Sequence, residues 1–157
     1  MKIIIIGATG TIGSAVASAP DAKHEVIRAS RTGSVKVDLA DRSSISSLFA
    51  AVARFDALVC CADSVSLAPF DSLSEEAFQL SLSNKLFGQI NIVREAIGWL
   101  RDHGSITITS GQIPAMSGSA AGALTNAGLA AFVRAVALGL PRGIRINTVA
   151  RGGCKRH

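Results

Sequence analysis

Apolar residues along this chain occur as short runs and as longer stretches with helical period. The short runs predict strands at Met1–Ile6, Glu25–Arg28, Ser34–Leu39, Asp56–Cys61, Ser105–Thr109 and Ile144–Val149. The stretches in which apolar residues recur every three or four positions predict helices at Gly10–Ala19, Ser43–Ala53, Ser74–Leu100 and Ala120–Leu140.

These elements follow the order β-α-β-β-α-β-α-β-α-β. Alternation of this kind, with strands apolar on both faces, predicts an α/β fold with a doubly wound parallel sheet in a single domain. Two strands follow each other directly, and the connection between them, from Arg28 to Ser34, is expected to be either a loop or a short helix.

Polar residues are expected to cap two of the helices. Ser43 or Ser44 precedes an apolar face formed by residues 45, 48, 49 and 52. Ser74 precedes Glu75 and Glu76, and the helix dipole favours acidic residues in a first turn.

Composition and charge narrow the function classes. Apolar residues make up 48% of the chain and charged residues 17%, which excludes a disordered protein. The apolar run Ile3–Ile6 is too short to span a membrane, so a soluble cytoplasmic protein is expected. The formal net charge is +5, but Arg151, Lys155 and Arg156 supply much of it, and the chain has no tyrosine; nucleic-acid binding is not expected.

The cysteines do not suggest a metal site. Cys60 and Cys61 are adjacent, and neighbours in a strand point to opposite faces. We expect them to be buried small hydrophobic residues in a reducing compartment, and we expect no metal.

A glycine-rich turn joins the first strand to the first helix. Glycines at these points permit a tight turn, let a pyrophosphate approach the backbone and let the helix pack close to the strand. The free N–H groups of the helix start can then hold phosphate. The turn predicts a Rossmann-type dinucleotide site, against the alternative of a merely structural turn, with the binding residues Gly7, Thr9, Gly10, Thr11, Ile12 and Gly13.

The end of the second strand indicates which dinucleotide is bound. An acidic residue there would bind the ribose 2′-hydroxyl of NAD. This chain has Ser30 and Arg31 instead, which can bind a 2′-phosphate. The prediction is NADP(H), with a solvated loop arginine as the alternative.

With these motifs the chain resembles the short-chain dehydrogenase/reductase family, from Met1 to about Ala150. Asp38 in Val-Asp-Leu-Ala-Asp matches the family's adenine-contacting aspartate, and Ser110 matches its catalytic serine. Residues 145–149 match the strand that leads to the family's Pro-Gly turn, which reads Arg-Gly here. Of the family's Asn-Asn-Ala-Gly motif, only Ala62 agrees in residues 60–63.

The resemblance also exposes departures in the catalytic set. Gly122 stands at the position of the family's proton-donating Tyr, Asn126 at that of its Lys, and Lys85 at that of its Asn. The resemblance assigns catalytic positions to Ser110, Lys85 and Asn126. Lys85 is the candidate replacement acid, and a solvated or ribose-binding lysine is the alternative.

These features are compatible with two functions. The first is an NADP(H)-dependent oxidoreductase that transfers hydride between the nicotinamide and a small carbonyl or alcohol, with an altered or weakened proton donor. The second is a non-catalytic NADP(H)-binding sensor or pseudoenzyme, which the absent Tyr favours.

Residues 1–150 are expected to form the nucleotide-binding domain, and residues 151–157 an irregular basic tail. The family's last strand and the segment that covers the substrate are not found after residue 150, which suggests a truncated chain or a shifted reading frame. The helices at 82–100 and 120–140 resemble the family's dimer-forming pair, so a homodimer or homotetramer is expected.

Overall fold

The computed structural model describes residues 1–19 and 23–152. Its strands are β1 (Lys2–Ile6), β2 (Glu25–Ser30), β3 (Val35–Lys36), β4 (Phe55–Cys60), β5 (Leu100–Gly111) and β6 (Arg145–Arg151). Its helices are α1 (Thr11–Ser18), α2 (Arg42–Val52), α3 (Glu75–Ser81), α4 (Gly88–Trp99) and α5 (Ala120–Val136), with a π-helical segment between α3 and α4 at Leu82–Phe87.

The strands form one sheet in the order β3-β2-β1-β4-β5-β6. Each neighbouring pair is parallel, which confirms the predicted doubly wound α/β fold. The chain proceeds outward from β1 to β3 and then returns to the other side of β1 at β4. Ligands of such sheets bind beyond the carboxyl ends of the strands at this reversal.

Helices cover both faces of the central strand β1. Ile4 and Ile6 belong to the larger core cluster, which also contains residues of α2, α4 and α5. Ile5 faces the opposite side and packs with Ala17 of α1. Because β1 is buried on both sides, its apolar sequence does not alternate with polar residues.

The connection between β2 and β3 is a loop, so of the two alternatives that the sequence allowed, the short helix is wrong. The Oγ of Ser30 accepts a hydrogen bond from the N–H of Gly33 at 2.8 Å, which closes this turn. β2 extends to Ser30, and β3 is only Val35–Lys36 rather than Ser34–Leu39.

The expected cap of α2 was wrong. Asp41 is the N-cap, and its carboxylate accepts a hydrogen bond from the N–H of Ser43 at 2.8 Å. Ser44 instead accepts from the N–H of Asp38, so it holds the end of the preceding loop. The expected cap at Ser74 is confirmed, because its Oγ accepts from the N–H of Ala77.

The predicted helix at Ser74–Leu100 is interrupted in its middle. Residues 82–87 widen into a π-helical segment, a feature that is frequent at functional sites. Gly88 follows, and a Cβ on it would lie 2.8 Å from the Cβ of Leu39. The helix therefore approaches the loop after β3 very closely at the point where the π-helical segment ends.

Two further element ends differ from the prediction. α5 ends at Val136 rather than Leu140, and Pro141 follows the turn that closes it. β5 begins at Leu100 rather than Ser105, because Leu100 pairs with Phe55 before an irregularity in the register.

Of the predicted tail, Arg151 is the last residue of β6, and residues 153–157 lie outside the described residues. The division into a domain and a tail at residue 150 stays a prediction. Within the described part of the chain, no helix is long and apolar enough to cross a membrane.

The packing of α1 against the turn after β1 predicts a stability difference between two glycines. A Cβ on Gly13 would lie 2.0 Å from the carbonyl oxygen of Gly7, whereas a Cβ on Gly98 in α4 meets nothing within 4 Å. Gly13→Ala should lower the free energy of unfolding by about 1–3 kcal/mol because α1 must move away. The control Gly98→Ala should leave it unchanged or raise it by about 0.5–1 kcal/mol. Urea unfolding of both variants checks this, and equal effects would contradict the packing argument.

Candidate functional site

A cleft of about 340 Å³ lies beyond the carboxyl ends of β1, β2 and β4. We call it the glycine cleft. Every residue predicted to bind the cofactor lines it except Gly13, which is buried beneath the turn. The lining comprises Ile6, Gly7, Thr9, Gly10, Thr11, Ile12, Ser30, Arg31, Thr32, Val37, Asp38, Leu39, Cys61, Ala62, Asp63, Ser64, Asn84, Thr109 and Ser110.

The turn at the floor of this cleft depends on Gly7. Its φ is +79°, and a Cβ there would lie 2.7 Å from the backbone nitrogen of Ala62. Only glycine allows both this conformation and this approach. α1 begins after Gly10 without a side-chain cap, so the N–H groups of its first turn face the cleft free for an anionic ligand.

The far end of the glycine cleft carries an unpaired cation. Arg31 is exposed and has no ion-pair partner among the described residues. Ser30 is buried, and its hydroxyl keeps a proton to donate while its oxygen accepts from Gly33. Asp38 is exposed, and its carboxylate accepts from the N–H of Ala40 at 2.9 Å.

The two cysteines at the end of β4 are free thiols. Burial raises the pKa of the Cys60 thiol to about 12. Desolvation also raises the pKa of the half-buried Cys61, which lines the glycine cleft. Neither thiol is therefore activated as a nucleophile. Within residues 1–19 and 23–152, no group of three or more His, Cys, Asp or Glu side chains is placed to hold a metal ion.

A second cleft, of about 510 Å³, adjoins the first at Asp63 and Ser64. We call it the lysine cleft. It is lined by Asp63, Ser64, Val65, Leu67, Lys85, Gly111, Gln112, Ile113, Asn126 and Gly152.

Lys85 provides the buried charge of the lysine cleft. It lies in the π-helical segment and its side chain is only 2% exposed. Its Nζ is 2.9 Å from Oδ1 of Asp63, whose side chain is 44% exposed. An ammonium this deeply buried requires a carboxylate partner, and breaking such a pair by removing one member is costly.

Asn126 and Ser110 complete the predicted catalytic set. Asn126 is 6% exposed; its Oδ1 accepts from the N–H of Gly111 at 2.9 Å, while its Nδ2 finds no partner among the described residues. Ser110 is also 6% exposed, and its Oγ accepts from Thr148 at 3.3 Å. Ser110 lines the glycine cleft, whereas Lys85 and Asn126 line the lysine cleft. The structure thus distributes the three residues over two adjoining clefts.

The position matched to the family's Tyr has no room for a side chain in the present arrangement. A Cβ on Gly122 would lie 2.3 Å from Cδ1 of Ile113 and 3.6 Å from Cγ1 of Val65. An apolar side chain therefore fills the space beside Gly122.

Sequence reasoning missed Gln89 of α4. This residue is fully buried, and its Nε2 donates to the carbonyl oxygens of Thr109 at 3.1 Å and Ala62 at 3.4 Å. It joins the ends of β4 and β5 beside the glycine cleft, which Ala62 and Thr109 line. The available signal was an uncharged polar residue within an otherwise apolar helix face.

Asp63 and Asn84 were also missed as site residues. Asp63 was visible only as a mismatch to the family's motif, and its partner Lys85 lies too far away in sequence to be inferred. Asn84 lines the glycine cleft although its neighbour Lys85 lines the other one. The widened π-helical turn that carries both residues has no signature in the apolar pattern.

The fold and the glycine cleft define a dinucleotide-binding domain of the doubly wound class. The sequence profile of a family described as enoyl-(acyl carrier protein) reductase matches residues 10–156. The chain belongs to the short-chain dehydrogenase/reductase family. No sequence among curated proteins matches it significantly.

Solved structures agree with this assignment. The crystal structure of the protein lin1944 from Listeria innocua is 39% identical and covers 99% of this chain and 79% of its own, with a TM-score of 0.94. Two crystal structures of small-chain dehydrogenases are 24% and 23% identical and each covers 96% of this chain, with a TM-score of 0.88. They cover 77% and 69% of their own chains, and the second is a complex with NADPH. At these identities the latter two support the fold alone.

The contacts of Gln89 predict a stability effect. Gln89→Leu leaves the carbonyl groups of Ala62 and Thr109 without their buried donor, so the free energy of unfolding should fall by about 1–3 kcal/mol. In the control Gln79→Leu, an exposed helix residue bonded to Glu75 is changed, and the effect should stay within about 0.5 kcal/mol. Urea unfolding measures both, and a Gln89→Leu protein as stable as the control would rule out this bridging role.

Proposed function

We propose that this protein is an NADP(H)-dependent oxidoreductase that transfers hydride between the nicotinamide and a small carbonyl or alcohol, with Lys85 in place of the family's Tyr as proton donor. The observation that carries the proposal is the buried Lys85 ammonium in the lysine cleft, which adjoins the glycine cleft. The charged donor that lines this cleft is an ammonium rather than a phenol.

The choice of NADP(H) rests on the residues of the glycine cleft. The uncapped start of α1 suits a pyrophosphate. Arg31, which has no ion-pair partner among the described residues, lines the same cleft as Ser30 and suits a 2′-phosphate. No acidic side chain follows Ser30 directly to bind a ribose diol. A similar fold in complex with NADPH, a small-chain dehydrogenase, gives further support.

Side chains of this protein would bind the substrate oxygen and supply the proton. Bound NADPH supplies the hydride. The Ser110 hydroxyl lies 3.3 Å from that of Thr148, and it can rotate to donate its proton to a substrate oxygen. The Lys85 ammonium donates the proton that the developing alkoxide needs, and the half-exposed Asp63 holds that ammonium in place. Asn126 adds an amide donor through its Nδ2, which has no partner in the part of the chain that the structure describes.

One observation favours the second candidate function, a protein that binds NADP(H) without catalysis. Ile113 fills the space beside Gly122 and makes this wall of the lysine cleft apolar. A site that lost its Tyr and closed the space would suit a non-catalytic NADP(H)-binding sensor or pseudoenzyme. The two candidates share the cofactor and differ in turnover.

We also propose a cytoplasmic protein that assembles as a homodimer or homotetramer. The free thiols Cys60 and Cys61 suit a reducing compartment. Leu80 of α3, Phe87 of the π-helical segment and Leu124 of α5 are each about half exposed, on elements that pack against one another. Self-association would bury these apolar side chains.

The cofactor proposal predicts a reversal of preference on charge reversal. Fluorescence titration of the wild-type protein should show NADPH binding at least about tenfold tighter than NADH, since an Arg–phosphate contact is charge-assisted. Arg31→Asp should remove or invert this ratio because a carboxylate repels the 2′-phosphate. Arg94→Asp, the same change on an exposed residue of α4, should keep the wild-type ratio. A ratio unchanged in Arg31→Asp would make Arg31 a solvated loop residue.

The proton-donor proposal predicts which lysine substitutions abolish turnover. NADPH oxidation would be followed over small aldehydes, ketones and quinones, together with an enoyl thioester because of the family's description. Lys85→Met and Lys85→Arg should each lower kcat by about 10²- to 10⁴-fold, since arginine keeps the charge but does not give up a proton. Lys36→Arg, on an exposed lysine outside both clefts, should have no effect.

The outcomes of this screen separate the candidate functions. Full activity in Lys85→Arg would reduce Lys85 to an electrostatic role. Tight NADPH binding without turnover on any substrate of the panel would favour the sensor.

A further inference from the structure

Two buried side chains of the lysine cleft, Lys85 and Asn126, carry N–H donors that the described residues do not all satisfy. Lys85 is almost fully buried, and the partner recorded for its ammonium among the described residues is Oδ1 of Asp63. The buried Nδ2 of Asn126 has no partner in that part of the chain. An ammonium carries three N–H groups and an amide two. A ligand of this cleft is therefore selected for oxygen atoms that accept hydrogen bonds.

The formal charges that line the lysine cleft cancel. Among the described residues, Asp63 and Lys85 are the ionisable ones that line it, and they form one complete ion pair. A carboxylate brought to Lys85 would meet the charge of Asp63 at close range, and two carboxylates that share a site disfavour each other's ionised form. A neutral carbonyl or amide oxygen reaches the same donors without this repulsion.

Part of the lining of the cleft is apolar. Val65, Leu67 and Ile113 line it, and Ile113 closes the space over Gly122. A short aliphatic group packs against such a wall, whereas a second polar group would lose its hydration there without compensation. The lining thus matches a ligand with one neutral oxygen-bearing end and a small apolar body.

We propose that Asp63 determines substrate specificity: by neutralising Lys85, it makes the lysine cleft select small neutral aliphatic carbonyl or amide compounds and reject carboxylates of the same shape. This inference rests on the proposed function, because it names the substrate class of the same site. It adds a role for a residue that matches nothing in the family's motif.

Isobutyramide and isobutyrate provide a matched pair of probes. They share size, branching and two polar atoms on one carbon, and they differ in charge at pH 7. Binding to the intact wild-type protein would be measured by ligand-observed NMR, with and without saturating NADPH. We expect the amide to bind about tenfold more tightly than the carboxylate, as one unfavourable charge contact produces.

Removal of the Asp63 charge should invert this selectivity. In Asp63→Asn the Lys85 ammonium is no longer neutralised, so isobutyrate should become the tighter ligand. The double variant Asp63→Asn/Lys85→Gln restores a neutral lining and should return the preference to the amide. Asp71→Asn, which removes an exposed carboxylate outside the cleft, should keep the wild-type ratio.

Three results would overturn the inference: a wild-type preference for isobutyrate, no binding of either probe to protein with a cooperative melting transition, or an unchanged ratio in Asp63→Asn. If that variant does not fold, Asp63→Ser removes the same charge and provides the same comparison. Failure of the proposed function is a separate result. Absent NADPH binding or turnover would not alter the ratio of the two probes measured on the protein alone.

Discussion

The site depends on the close approach of three backbone segments around Gly7. The turn after β1, the start of α1 and the segment after β4 come so near that a Cβ on Gly7 would collide with Ala62 and one on Gly13 with Gly7 itself. This approach places the free N–H groups of α1 beside the residues that follow β4. Because Asp63 is the next residue but one after Cys61 in that segment, the same contact also sets where the lysine cleft begins.

The ion pair of Lys85 and Asp63 links two departures from the family that look independent in the sequence. A buried ammonium without a partner is energetically unfavourable. The carboxylate of Asp63 supplies that partner. Together they form a compensated pair in the lining of the lysine cleft. The two substitutions are therefore best understood as one change in the chemistry of the site, from an uncharged polar group to a buried charge with a neutralising partner.

The sequence carried enough information for the sheet and for the glycine cleft. Both depend on local patterns: buried β-branched runs, glycines at fixed spacing, and Arg31 directly after a strand. The sequence was less informative at the start of α2, where two competing hydrogen bonds decide which residue caps the helix. Asp41 caps α2 because its carboxylate reaches the N–H of Ser43, while Ser44 is already bonded to the loop after β3.

Contacts between residues distant in sequence were not accessible in this way. The bridge from Gln89 to Ala62 and Thr109, and the pair of Lys85 with Asp63, join elements that only the folded sheet brings together. The π-helical segment adds a second difficulty, since its consecutive residues Asn84 and Lys85 face different clefts. An alignment to the family's helix assigns Lys85 a position but not this direction.

The absence of Tyr does not by itself distinguish an enzyme from a sensor. What catalysis requires is a donor of the proton and a second donor to hold the substrate oxygen, and the described residues offer Lys85, Ser110 and Asn126 for these tasks. A buried ion pair adds little to stability compared with apolar residues of the same volume, so stability alone does not account for a lysine that is 2% exposed and paired with Asp63. Our proposal of an oxygen-bearing ligand accounts both for this pair and for the Nδ2 of Asn126, which has no partner among the described residues.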